Sequence, residues 1–153
     1  MATTVATATL TQTISESITL NGIVYDKTTT KSISSIAQYS CRILQLAASG
    51  NHPIYTAAAS PSGLQYDSDD VKYIRITNLD DTNPVTVSIN SAGNASSAVQ
   101  LSAGASLVLF DDLVDGNATG GAITRQPLTY VVDSIYVSTS ANETDIEFAV
   151  ASA

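Results

Sequence analysis

The sequence predicts an all-β fold: a single antiparallel β-sandwich, jelly-roll-like, of about 8–10 short strands. Three observations carry that expectation. Apolar and polar residues alternate with a period of two in residues 71–77 and again in 85–89, as strands with one wet face require. Strand-like runs recur about every ten residues, with no amphipathic helix of length between them. Ser and Thr together number 39 while only 13% of the residues are charged, so much of the polar surface must be hydroxyl, which suits the outward positions of strands.

Taken in order, the even positions of residues 6–20 read Ala, Ala, Leu, Gln, Ile, Glu, Ile, Leu, with Thr or Ser at nearly every odd one. Residues 10–20 are therefore a strand. Asn21-Gly22 follows as a two-residue hairpin turn, because both residues tolerate positive φ, and residues 23–25 begin the returning strand. The polar run 27–31 reads as a turn or strand edge. Residues 33–36 and 42–46 give short β signals, and 34–46 has room for one helical turn. A strand at 54–59 is closed by Ser60-Pro61-Ser62-Gly63. Residues 71–77 and 85–89, joined through the Asp-, Asn- and Pro-containing connector 78–84, read as a hairpin. Residues 90–97 read as a loop, and 99–101 with 107–110 as a second hairpin across Ser102-Ala103-Gly104-Ala105. Residues 111–127 are the expected long surface loop, and 130–138 and 145–150 the last strands. In the final strand Ile146, Phe148 and Val150 should face inward. Residues 1–20 form an N-terminal arm and first strand, expected to pack on a neighbouring subunit by adding a strand to its sheet; residues 21–153 form the sandwich, one domain overall.

Composition narrows the function. The chain has 153 residues, 44% of them hydrophobic, enough for one real core. Its net charge of −8, from 14 acids against 6 bases without a basic cluster, opposes nucleic-acid binding. No run approaches the roughly 20 apolar residues of a membrane span, and the first ten residues lack the basic start and apolar core of a signal peptide. The expectation is synthesis in a reducing cytoplasm, with no internal disulfide from the single Cys41.

Catalytic chemistry needs acids, bases or nucleophiles within reach of one another. Cys41 and the single histidine, His52, could in principle make a thiolate nucleophile, but no motif surrounds either. Cys41 lies among apolar neighbours, where a buried packing thiol is expected. The chain therefore reads as no enzyme. Asp67, Asp69 and Asp70 are candidate calcium ligands, since calcium takes carboxylate oxygens from loops, but turn chemistry is the competing reading of these acids, of Asp80 and Asp81, and of Asp111, Asp112 and Asp115. No other cofactor is indicated. Tyr73 and Tyr136 fall opposite the apolar positions of their strands and are the interface candidates, because Tyr is enriched at protein contacts. Asn-x-Ser/Thr triplets begin at Asn94, Asn117 and Asn142; in so hydroxyl-rich a chain, chance explains them.

Four stretches in this order are Asp-Asp-Val-Lys-Tyr-Ile-Arg-Ile-Thr-Asn (69–78), Leu-Ser-Ala-Gly-Ala-Ser-Leu-Val-Leu (101–109), Ile-Tyr-Val-Ser-Thr (135–139) and Asp-Ile-Glu-Phe-Ala-Val-Ala (145–151). The layout resembles small β-rich virion proteins of tailed bacteriophages, of marine phages in particular. The resemblance spans residue 67 to the C-terminus and consists of strand patterns, so it transfers no functional residue. It implies a structural protein at the capsid surface of the virion, decorating or cementing the shell, or else a tail or fibre part that touches the host. It also implies a homo-oligomer, often a trimer, whose partners are the major capsid protein or other virion proteins. A function from another class is a carbohydrate-binding module, which would need a row of exposed aromatic rings; the chain has no Trp.

Overall fold

The computed structural model describes residues 6–91, 96–110 and 132–153, and the backbone of 113–114 and 126–127. The expected loop at 111–127, including Asp111, Asp112 and Asp115, thus lies largely outside the described residues, as do Asn94 and Asn117. The strands are β1 (Ala8–Leu20), β2 (Ile23–Ile36), β3 (Gln38–Leu46), β4 (Asn51–Ala58), β5 (Tyr66–Asp67), β6 (Val71–Asn78), β7 (Val85–Ser91), β8 (Ser96–Leu101), β9 (Ser106–Phe110), β10 (Leu113–Val114), β11 (Gln126–Pro127), β12 (Val132–Thr139) and β13 (Thr144–Ser152).

Two sheets make the sandwich, ordered β3-β13-β6-β9 and β5-β4-β12-β7-β8. Setting aside the two-residue β5, the eight strands follow jelly-roll order, each connection passing from one sheet to the other except β7 to β8, which are neighbours in one sheet. Alternation explains the packing. Ile74 and Ile76 of β6, Val85 and Val87 of β7, Ile135 and Val137 of β12, and Ile146 and Phe148 of β13 meet in one core between the sheets. The inward reading of Ile146, Phe148 and Val150 is as expected.

Two of the three pairings read from sequence as hairpins, 71–77 with 85–89 and 99–101 with 107–110, are something else. β6 pairs with β13 and β9, while β7 pairs with β12 and β8, so the connector at 79–84 passes from one sheet to the other. The 102–105 turn does the same between β8 and β9. Alternation fixes which face of a strand is apolar; it is silent on which strand lies alongside.

Asn78 ties these two crossings together. Its side chain is fully buried, and its Nδ2 donates to the carbonyls of Asn83 (2.8 Å), Leu101 and Ser102 (both 3.2 Å). Its Oδ1 accepts the Asp80 amide at 3.1 Å. Asp80 in turn accepts the amides of Thr82 and Asn83 at 2.8 and 2.7 Å, and those backbone hydrogen bonds hold its carboxyl below the usual value. The Asp residues of this connector are turn chemistry.

The N-terminal strand is held within the chain. β1 pairs with β2 as a separate two-stranded sheet whose Asn21 and Gly22 both have positive φ, the hairpin turn the sequence predicts. The returning strand is longer than expected: the polar run at 27–31 is its middle, not a turn. Nor is there a helical turn at 34–46. Ile33 and Ile36, three apart, would face opposite ways in a regular strand, but the register shifts there and Ser35 takes φ 61°, a bulge that turns both toward the body.

Two buried side-chain oxygens stand without a partner among the described residues, Tyr55 Oη and Thr144 Oγ1. The hydroxyl of Tyr55 makes no hydrogen bond, although its ring stacks on Tyr66 at 5.2 Å. Burial, with Tyr66 and Asp133 adding, pushes that phenol well above its ordinary range. Tyr55→Phe is therefore expected to leave stability unchanged or raise it by about 1 kcal/mol, since the hydroxyl is desolvated without return. Urea denaturation checks this; a loss above about 1 kcal/mol would mean that the hydroxyl has a partner.

Candidate interaction surface

The outer face of the β3-β13-β6-β9 sheet is built of cross-strand rows. Register places Tyr39, Ala151, Tyr73 and Phe110 in one row, and Cys41, Ala149, Arg75 and Val108 in the next. Ile43, Glu147, Thr77 and Ser106 form a third. The hairpin crosses this face. The Ala37 amide donates to the Ser152 carbonyl on β13, and Lys31 Nζ stands 4.2 Å from the ring centroid of Phe110 on β9, the far edge strand. Between these points Ile33 and Ile36, with Leu10, cover Tyr73, Ala149, Ala151 and Phe110 in a second apolar cluster.

Tyr73 is thus not an exposed interface residue. It faces away from the main core, as the alternation predicts, yet it is only 5% exposed because the hairpin lies over it. Burial raises its phenol pKa, with Arg75 opposing the shift. Tyr136 lies on the other sheet, on its outer face and half-buried, opposite Pro53 and Ser88. The two tyrosines therefore do not share a surface.

Beside Tyr73, Arg75 pairs with Glu147 and donates to Thr77 Oγ1 at 2.9 Å. Burial works against the Arg75 charge, but the hydrogen bond and charge of Glu147 outweigh it, and its pKa moves up. Next to this pair the outer face of β3 stays open. Tyr39 and Ile43 are 55% and 67% exposed, and Cys41 between them is exposed too, not the buried packing thiol expected. Odd positions of β3 face outward, and the hairpin passes β3 by. Cys41 and His52 lie on different sheets, and His52 Nε2 sits 3.0 Å from the Ala47 carbonyl, so the structure brings no dyad together.

Asp67, Asp69 and Asp70 fall at the turn into β6. Asp67 Oδ1 accepts the Asp69 amide at 3.1 Å, and the Asp67 carbonyl accepts the Asp70 amide at 3.2 Å. Among the described residues no group of three His, Cys, Asp or Glu side chains converges as a metal site would require. No helix there is long and apolar enough to cross a membrane.

Sequence reasoning missed the most exposed apolar surface. Past Lys31 and Gln12 every residue of the hairpin is exposed, including Ile14, Ile18, Leu20, Ile23 and Tyr25. Register pairs Ile18 with Tyr25 and Leu20 with Ile23, so these side chains share one face. The paired Glu16 and Lys27 share that face, while Thr11, Thr13, Ser15, Ser17 and Thr19, with Val24 and Asp26, hold the other. The signal was present: apolar residues at even positions of β1, followed by a strong turn, require the returning strand to share that face.

No family model matches the chain, and no curated protein matches it. Among solved structures, one described as "Bacillus endospore appendages form a novel family of disulfide-linked pili" is similar at 17% identity and a TM-score of 0.46, covering 74% of this chain and 81% of that one. A likeness of that level says nothing of what this chain binds or builds.

Proposed function

We propose that the chain is a non-enzymatic structural protein of a tailed-phage virion, most simply a capsid decoration (cement) protein acting in many copies at the shell surface. One observation carries the reading: a sandwich holds a long hairpin in solvent with large apolar side chains on one face. Exposed apolar patches of that kind mark interaction sites, not catalytic ones. Many weak contacts suffice when copies repeat, because multivalency multiplies affinity. The acidic surplus keeps free subunits apart and soluble until assembly. Jelly rolls recur in capsid proteins and in lectins alike, so the fold leaves both open. The hairpin favours assembly, since among the described residues the exposed rings Tyr25 and Tyr39 lie on separate elements and form no sugar-binding row.

Quantitative mass spectrometry of virions, purified from the phage whose genome encodes the chain, tests this against the major capsid protein. A copy number that follows the shell lattice supports decoration. Roughly a few dozen copies or fewer would move the protein to the tail or fibres, where symmetry is low and closed. Absence from the particle would sink the virion reading and bring the carbohydrate-binding module forward.

A further inference from the structure

We propose that the hairpin tip docks on the outer face of β3 in a second copy of this chain, so that copies join head to tail. The inference rests on the multi-copy reading above and names the contact that would serve it.

Three features point to that occupant. The first is continuity: the face that the tip presents is the one whose base residues, Leu10 and Ile33, are packed on the outer face of the chain's own sheet. The hairpin leaves that sheet over β9, one edge, while the exposed Tyr39 and Ile43 sit on the same face of β3, the opposite edge. A copy set with its β3 edge beside β9 continues the surface that the base already covers. The tip beyond Lys31 is about 26 Å long, enough to cross about five strands spaced ~4.8 Å apart.

The second is charge. Residues 8–36 carry two acids, Glu16 and Asp26, and two bases, Lys27 and Lys31, so the hairpin has no net charge and the rest of the chain holds the whole surplus of −8. Two acidic bodies repel, and a neutral apolar strap is the element able to join them. The third is stability. A lone two-stranded ribbon is marginal in water, and among the described residues the tip has no third strand or covering layer. Docked on a neighbour's sheet, it gains one.

The contact is heterologous, with different surfaces on its two sides, and this makes it testable by complementation. Ile18→Asp spoils the tip and Ile43→Asp spoils the receiving face; both side chains are exposed, so neither change disturbs the core. In analytical ultracentrifugation of the full chain, the wild type should grow from monomer to dimer and longer chains with concentration. Each variant alone should associate roughly a hundredfold more weakly, as for a charge placed in a desolvated hot spot. An equal mixture of the two should form a dimer and stop there, because one intact tip and one intact face remain. A wild type that stays monomeric, an Ile43→Asp variant that assembles normally, or a mixture without dimers would each overturn the proposal. Virion copy number is independent of these outcomes: an abundant decoration protein that is monomeric in solution loses this inference and keeps the function.

Discussion

Phe148→Ala is expected to cost about 3–5 kcal/mol, the usual penalty for emptying an aromatic site in a closed core. Phe148 is 1% exposed on β13, the strand between β3 and β6. Its ring meets Tyr55 edge-on at 6.5 Å, and the Arg42 guanidinium lies 5.4 Å from its centroid. The truncation therefore removes packing from both sheets at once and leaves Arg42 without its aromatic platform. Total stabilities of such domains are about 5–15 kcal/mol, so the loss is a large share of the whole. Urea denaturation should show a lower midpoint with an unchanged slope. A cost under about 1 kcal/mol would mean that the two sheets are not packed through this ring.

Asn78→Ala should be nearly as damaging, at about 3 kcal/mol, although it removes far fewer atoms. The amide is fully buried and serves the carbonyls of Asn83, Leu101 and Ser102 together with the Asp80 amide. Each group left buried and unpaired costs on the order of 1–3 kcal/mol, softened where water can enter at the loop. Asn78→Asp separates hydrogen bonding from size: it keeps the acceptor for Asp80, loses the donors, and buries a charge facing carbonyls. It should be at least as destabilising as alanine. If both variants fold with wild-type midpoints in thermal and urea unfolding, the amide does not clamp the two crossings.

Neither effect was legible in full from the chain. Phe148 reads as inward, because strict alternation in residues 145–150 leaves no other choice. Asn78 looked like an ordinary connector residue. Its role depends on the 79–84 and 102–105 crossings lying side by side, which places Leu101 and Ser102 next to a residue more than twenty positions away. The same limit explains the two false hairpins. A strand that alternates cleanly is consistent with any antiparallel neighbour, and in a jelly roll most neighbours are distant in sequence.

The candidate surface shows the division most clearly. Alternation puts Tyr73 on the correct face and leaves its environment open, since nothing local reveals that Ile33 and Ile36 lie across it. The bulge at Ser35 decides that, by turning both isoleucines the same way. Conversely, Ile43 looks like an ordinary strand residue and Tyr39 falls between two short β signals; both become surface because the hairpin crosses β13, β6 and β9 and leaves β3 bare.

The sequence by itself determined the all-β class, the Asn21-Gly22 turn and which face of each core strand is apolar, because these follow from backbone geometry within a few residues. The tertiary structure alone decided which strands are neighbours, where Tyr73 ends up and which apolar side chains stay in water. Those outcomes depend on contacts between residues far apart in the chain, and local patterning does not specify them.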